Sequence, residues 1–352
     1  MVSILFDTKY FGSLWCDNLL KGLTSQLRQK RIPFCEINDV CPADTDAVFV
    51  IASDYEWTNS AIKQLNEHKI TPILLCNQFE PIHGLLYNCA CSDINGSMKN
   101  LLDSIKTSKK SRIAIYGVNT NSISDIGRVD GLFSWKDDYF DIMQVFVNDG
   151  SLEKCYNDFE KRLNDFDTVI CTNDFAAVSL VKRLKSSHKE ILNHLTIISC
   201  SKAKLSEYYK EHIVSLDMNL EQYGKAAVYI YECMQKNPYI SAMTVYVKWS
   251  LIGTDKNNNN ADIPLLPGGS NDESYSDEEL KEMMTVDKYL NIADNTDKKI
   301  IQLCLSGVTL NRIAEHCFLT VGGIKYRIKK LVNECGTQSK EELFDCIKKY
   351  IF

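Results

Sequence analysis

No window of the chain approaches the ~18 consecutive apolar residues of a membrane-spanning helix, so no membrane partner is expected. The opening, Met1-Val2-Ser3-Ile4-Leu5-Phe6-Asp7, lacks a basic region, an apolar core and a small-residue cleavage site. A soluble, cytoplasmic protein is the expectation. None of the 14 cysteines forms a CxxC pair, and the nearest two are Cys89 and Cys91. The spacing of zinc ligands is missing, and a disulfide framework is not expected. Several cysteines lie in apolar runs, as in Ile170-Cys171 and Ile198-Ser199-Cys200, and read as small buried hydrophobes in a reducing compartment. Histidine is scarce, at 6 residues. No Ser/His/Asp order, metal-ligand cluster or phosphate-cradling glycine loop stands out, so neither an enzyme nor a cofactor is expected.

What is present is ordinary globular material. The 352 residues are 45% hydrophobic and 24% charged, enough for two or three compact units. Net charge is -6, but it is unevenly spread. Residues 297–352 carry ten Lys/Arg against six Asp/Glu, whereas residues 254–296 carry three against ten. Positive charge therefore gathers at the C-terminal end, and the acid-rich stretch before it is read as a counter-charge holding that end off a polyanion.

Short apolar runs alternate with amphipathic stretches over the first 250 residues. Strands are expected at Val2–Phe6, Ala47–Ala52, Pro72–Cys76, Arg112–Tyr116, Gln144–Val147, Thr168–Cys171 and Leu195–Cys200. Helices are expected at Leu14–Lys30, Ser60–Lys69, Phe175–Lys185 and Glu221–Gln235. Such alternation implies an α/β fold with parallel sheets. So many units predict two lobes within residues 1–253, with crossings near 107–111, 215–217 and 237–241. Residues 254–275, rich in Asn, Pro, Gly and acids, read as a flexible linker. Residues 276–296 read as a spacer helix capped at Ser276. It either packs on a neighbouring domain or a second copy, or stands in solvent.

Residues 297–352 read as a small all-α domain of four helices: Asp297–Ser306, Leu310–Cys317, Val321–Glu334 and Lys340–Tyr350. The second and third form a helix-turn-helix with Thr320 as N-cap, Ala314 allowing a close crossing, and Ile313, Ile324, Ile328 and Leu331 as shared core. The third helix turns Lys325, Tyr326, Arg327, Lys329 and Lys330 away from that core. Long cations on such a face suit a major groove and its phosphates. Gly322 and Gly323 leave the helix start bare for close backbone approach. The segment Leu319-Thr320-Val321-Gly322-Gly323-Ile324-Lys325 resembles the recognition segment of LuxR-type (GerE-like) DNA-binding domains. It departs from that pattern at Val321, often an acid, and at Gly323, often Thr. The resemblance implies double-stranded operator DNA as partner and a homodimer as the binding unit. A helical adaptor with a merely solvated cationic face is the alternative.

Four N-terminal segments resemble the ligand-binding core of the lactose-repressor (LacI) family, a fold shared with periplasmic sugar-binding proteins. They are Lys9-Tyr10-Phe11-Gly12-Ser13-Leu14-Trp15, Arg128-Val129-Asp130-Gly131-Leu132, Cys171-Thr172-Asn173-Asp174-Phe175-Ala176-Ala177 and Gln222-Tyr223-Gly224-Lys225-Ala226-Ala227. The resemblance implies a type I, two-lobed sensor that closes on a small polar effector. Tyr10, Phe11, Trp15 and Trp57 would stack on the ligand, while Ser124, Arg128, Asn173 and Ser201 would hydrogen-bond to it. Plainer roles stand beside these: Asn173 or Asp174 as a helix cap, Trp15 as core, Arg128 as one half of an ion pair. Ser201-Lys202 occupies the place where the family presents an acid, which points to a sugar phosphate or acidic ligand as much as to a sugar, or to a lost site. The family's N-terminal DNA-binding headpiece is not expected here, and the C-terminal helices would take its place. The reading is a ligand-responsive transcription regulator, with a solute-binding or adaptor module as its rival.

Overall fold

In the computed structural model, residues 1–7, 14–39, 45–52, 54–76, 84–105, 111–120, 122–135, 140–201, 203–252 and 277–352 are described. The first sheet orders its strands β11-β5-β4-β3-β1-β2. These are β1 (Val2–Phe6), β2 (Phe34–Ile37), β3 (Ala47–Ile51), β4 (Thr71–Leu75), β5 (Asn88–Ser92) and β11 (Thr244–Val247). The second sheet runs β12-β10-β9-β8-β6-β7. Its strands are β6 (Ser111–Val118), β7 (Phe140–Val147), β8 (Thr168–Cys171), β9 (Thr196–Cys200), β10 (Ile213–Asp217) and β12 (Ser250–Ile252). Every described pairing is parallel except β10 with β12. The all-buried patterns of β1, β3 and β8 follow from cover on both faces, which parallel sheets require.

The helices of the sheets are α1 (Leu14–Gln29), α2 (Tyr55–Glu67), α3 (Ile94–Ile105), α4 (Ile123–Phe133), α5 (Leu152–Glu160), α6 (Asp174–Ser187), α7 (Lys189–Leu192), α8 (Lys204–Glu207) and α9 (Leu220–Lys236). In both sheets the order reverses around the first strand, β1 beside β3 and β6 beside β8, so each lobe has a topological switch point where ligands of such sheets bind. The chain changes sheets between β5 and β6, between β10 and β11, and between β11 and β12. The stretch 106–110, which holds most of the first expected crossing, lies outside the described residues. The third crossing falls between Val247 and Ser250, not at 237–241. Those residues join α9 to β11 within the first lobe, because β11 adds in parallel to β5.

Helices α1 and α9 cross at glycines. A Cβ on Gly224 would lie 2.1 Å from the backbone nitrogen of Leu23, and one on Gly22 would lie 2.2 Å from the carbonyl of Glu221. Lys21–Glu221 (2.6 Å) and Lys30–Glu232 (2.9 Å) flank this contact. The Gly-x-x-Ala spacing of Gly224 and Ala227 thus serves helix packing in the first lobe.

The C-terminal helices are α10 (Glu278–Ile292), α11 (Asn295–Leu305), α12 (Leu310–Cys317), α13 (Val321–Cys335) and α14 (Lys340–Ile351). The linker 254–275 and the cap Ser276 lie outside the described residues. The cap observed is Asp277, whose Oδ1 accepts from Glu279 N at 2.9 Å. Its Oδ2 accepts from Leu152 N at 2.6 Å, so one carboxylate caps α10 and the head of α5. Helix α10 is not solvated: Leu280, Met283, Val286, Tyr289 and Leu290 are buried in one apolar core shared by α6 and α8 of the second lobe and by α11–α14. A bidentate Arg183–Glu279 pair (2.8 and 2.7 Å) closes one end of the contact. At the other end Asp287, inside the apolar stripe, accepts from Leu205 N at 2.7 Å. Tyr209 donates to the carbonyl of Tyr350 at 2.9 Å.

Two outcomes follow from this packing. Gly224→Ala drives a methyl into the backbone of α1 and costs about 1–3 kcal/mol of unfolding free energy, read by urea denaturation; an unchanged midpoint removes the crossing from the account. Burial, opposed by the Leu205 amide and reinforced by the Asp174 charge, pushes the Asp287 carboxyl up to about 8 from an ordinary 3.8. The folded state therefore keeps a proton that the unfolded chain has released, and the stability it confers declines as pH climbs from about 4 to about 8. Asp287→Asn has no such proton, so its melting temperature gains on the wild type between pH 6 and pH 8.5. A constant difference over that range counts against the assignment.

Candidate functional site

At the switch point of the second sheet, the loops after β6 and β8 and the first turns of α4 meet on Asp125. Its Oδ2 accepts from Asn119 N (3.1 Å) and Thr172 Oγ1 (2.8 Å), and its Oδ1 accepts from Arg128 Nη1 (2.9 Å). Both side chains are buried, at 2% and 8% exposure for Asp125 and Arg128. Burial raises the Asp125 carboxyl above its ordinary range, and the Arg128 charge only partly offsets this. Arg128 also donates from Nη1 to the carbonyl of Thr172 (2.9 Å) and from Nη2 to Met218 Sδ (3.5 Å), and its guanidinium lies 5.6 Å from the ring centre of Trp249. Its Nε is buried without a partner.

This cluster reaches the segments that cross between the sheets. Met218 follows β10, and Trp249 lies between β11 and β12. Trp249 Nε1 donates to Ser92 Oγ (3.3 Å), at the end of β5, and to the Tyr223 hydroxyl (3.2 Å) on α9. Its backbone nitrogen donates to Ser97 Oγ (3.0 Å) on α3. Two of the three crossings between the sheets thus pass Arg128 and Trp249, and Trp249 also bonds the end of β5 and the first turn of α3, where the segment leading to β6 begins. The fork of donors expected to hold a ligand is here taken up by Asp125, Thr172 and Met218.

The remaining expected contacts separate. Asn173, half-buried, caps α6 by accepting from Ala176 N (2.9 Å). Ser201 donates to Asp174 Oδ2 (3.2 Å), and Ser124 is half-buried in the first turn of α4. Asp174 is fully enclosed at the head of α6 and also accepts from Ala203 N, while its Oδ1 has no partner. Burial raises its carboxyl above the ordinary range. Asn119 and Asn148, after β6 and β7, are buried at the same strand ends. Trp15 belongs to the first-lobe core at 4% exposure, since α1 turns it inward beside Leu19 and Leu23. Trp57 sits in the first turn of α2, packed against the outer core of the same lobe. Tyr10 and Phe11 lie outside the described residues.

A likeness to known structures now has a place. A periplasmic solute-binding protein of Actinobacillus succinogenes with bound D-allose matches with a TM-score of 0.52 and 18% identity over 71% of this chain and 96% of its own. A LacI-family transcriptional regulator of Enterococcus faecalis with bound ribose gives 0.54 and 15% over 72% and 97%. The regulator CelR in complex with cellobiose gives 0.52 and 12% over 72% and 83%. The two lobes have the type I periplasmic-binding-protein fold. No family profile matches the chain, and no curated protein does. No helix among the described residues is long and apolar enough to cross a membrane.

Behind this binding-protein fold, α12 and α13 meet at the short turn 318–320. Ile313, Ala314, Ile324, Ile328 and Leu331 are buried between them and their neighbours. Thr320 caps α13 by accepting from Gly323 N at 3.0 Å. A Cβ on Gly322 or Gly323 would approach nothing nearer than the Thr320 hydroxyl, at 3.8 and 3.4 Å, so packing does not require either glycine. Lys325, Tyr326, Lys329 and Lys330 are exposed, with Lys330 near Glu334 at 3.8 Å. Lys325, Lys329 and Lys340 line a groove of about 700 Å³ floored by Val308, Leu310, Ile328, Val332 and Phe344. Arg327 differs from its neighbours: it binds Asp297 (2.7 Å) and Asp294 (3.0 Å), the capping box of α11, and ties α13 to that helix.

Sequence reading missed Asp125, Trp249 and Asp287. Signals for each existed: an acid three residues before Arg128 on a helix, one of only 4 tryptophans between two edge strands, and an acid inside the stripe Met283-Val286-Leu290. The pairing carries a prediction. Arg128→Ala strands Asp125 in the interior and costs about 3–5 kcal/mol of stability, measured by chemical denaturation. A loss below about 1 kcal/mol, the level of an exposed pair, is incompatible with this buried pair.

Proposed function

We propose that the protein is a ligand-responsive DNA-binding regulator, in which a neutral polyhydroxyl ligand of the sugar class is held between the lobes and α13 enters duplex DNA. The observation that carries the reading is the division of α13. Ile324, Ile328 and Leu331 are locked inward while Lys325, Tyr326, Lys329 and Lys330 face solvent, on a chain whose other part has a sugar-binding fold. Arg327 is left out of the DNA-contacting set because two carboxylates hold it. Thr320 and the bare Gly322 and Gly323 admit the phosphate backbone. The homodimer belongs to this proposal too; the face of α14 carrying Leu343, Ile347 and Tyr350 is buried within the chain and is not available to it.

Charge favours a neutral ligand. Arg128 is matched by Asp125, and Asp174 has a buried oxygen without a partner. With its charge matched, Arg128 is not free to hold a phosphate, and the buried acceptors at these strand ends suit a ligand rich in hydroxyl donors. Sugars are what the ribose- and cellobiose-bound regulators hold; effector closure of the lobes would shift a two-state equilibrium.

Two measurements test the reading on the full chain. In fluorescence titrations with duplex DNA from upstream of its own gene, Lys325→Ala and Lys329→Ala each weaken binding about 5- to 10-fold and lower the salt slope by about 1, without changing the melting temperature. Equal affinity in all three proteins at modest salt rejects α13 as the reading helix. In a thermal-shift screen, D-ribose or D-glucose raises the melting temperature more than its phosphate ester does; the reverse order rejects the neutral ligand.

A further inference from the structure

The segment from Ser201 to Leu205 joins the cleft end of β9 to α8 and is gripped at both ends by buried carboxylates. At the cleft end, Asp174 accepts from Ser201 Oγ (3.2 Å) and from Ala203 N. At the far end, Asp287 of α10 accepts from Leu205 N (2.7 Å), and its other oxygen accepts from Asn291 Nδ2 (3.0 Å). Each carboxyl belongs to a residue only 1% exposed. Asp174 opens α6 directly after the cap Asn173, and α6 holds the head of α10 through Arg183 and Glu279. Thus both elements that fix α10 begin at the mouth of the cleft, and α10 is the floor on which α13 and α14 rest.

We propose that Asp174 and Asp287 are a positioning pair through which the state of the cleft reaches the C-terminal helices. The assignment rests on the cleft of the proposed function as the input, but the coupling itself is a property of the chain alone. Displacing Ser201 or the head of α6 moves the Ala203 and Leu205 amides, and Leu205 in turn holds Asp287 in the middle of α10. Among the described residues each of these amides makes one hydrogen bond, to a buried carboxylate, and breaking it in so apolar a setting is costly, so the two contacts shift together or break. Such coupling is reciprocal: loosening the α10 end loosens the cleft end equally.

Hydrogen exchange by mass spectrometry on the full-length protein, with neither ligand nor DNA, reads this directly. Ser201→Ala removes one bond at the cleft and is expected to speed exchange of the 278–292 amides about 5-fold, the equivalent of one buried hydrogen bond. Asp287→Ala is expected to do the same to residues 174–179, whereas Asp287→Asn, whose amide oxygen still accepts from Leu205, stays close to wild type. Should Asp287→Ala fail to fold, Ser201→Ala, at a half-buried site, decides the matter alone. Changes confined to 199–205 in Ser201→Ala, with α10 untouched, overturn the pair. Because no effector or duplex is present, that failure is distinct from a failure to bind sugar or DNA.

Discussion

The buried pair of Asp125 and Arg128 is the constraint on which the two-lobed arrangement depends. Two charges removed from water are tolerated only while each has the other and their remaining donors and acceptors are met. Asp125 meets that condition with the Asn119 amide and the Thr172 hydroxyl; Arg128 meets it at its two terminal nitrogens with the Thr172 carbonyl and Met218 and lies over Trp249, leaving only its Nε without a partner. The same contacts tie the loops of the switch point to the chain crossings. A junction built this way has few workable arrangements, since any displacement that separates the two side chains leaves a charge stranded.

From the second lobe outward the logic is apolar. A chain that re-enters at a capped helix and buries Leu280, Met283 and Leu290 against α6 and α8 does not behave as a bead on a string. Each large apolar side chain buried there is worth about 1.5–3 kcal/mol, far more than a tethered domain would surrender to stay free. The C-terminal helices and the second lobe form one core, so a rotation of the lobes carries α13 with it. Of the two readings open for residues 276–296, packing on a neighbouring domain is the one α10 fits; Asp287 interrupts its apolar periodicity, although that residue is satisfied within the interface, and this kept the solvated reading open.

What could be seen beforehand divides along physical lines. The central strands β1, β3 and β8 announce themselves because cover on both faces demands unbroken apolar runs, and the four helices after residue 297 because each carries a cap, a stripe and a terminator. The edge and crossover strands did not. Asn88-Cys89-Ala90-Cys91-Ser92 has no β-branched residue and so carries little strand signal, whereas Thr244–Val247 has strand-forming residues throughout but is only 4 residues long and partly exposed at the sheet margin, with no buried apolar run to mark it. The missed β11 is what displaced the third crossing. Of the site, the helix-turn-helix core was legible because it is local in sequence. Arg128 was read as a ligand donor because its partners Met218 and Trp249 lie 90 and more residues away, where no local pattern reaches.

A net charge of -6 sits beside an exposed lysine face on α13, and the acids of the stretch before it can be traced to their partners. In the acid-rich stretch before residue 297, Asp277 caps two helices, Glu279 is clamped by Arg183, and Glu282 takes Lys349 (2.5 Å) and Tyr350 (2.9 Å). Asp287 is enclosed, and Asp294 is spent on Arg327. These five charges are consumed inside the junction with the second lobe and within the helical domain, whereas Asp255, Asp262, Asp272 and Glu273 lie outside the described residues. Over a Debye length of about 8 Å at physiological salt, distant surface charges are screened, so the local face of Lys325, Lys329 and Lys330 is set by its own neighbours more than by the overall sign of the protein.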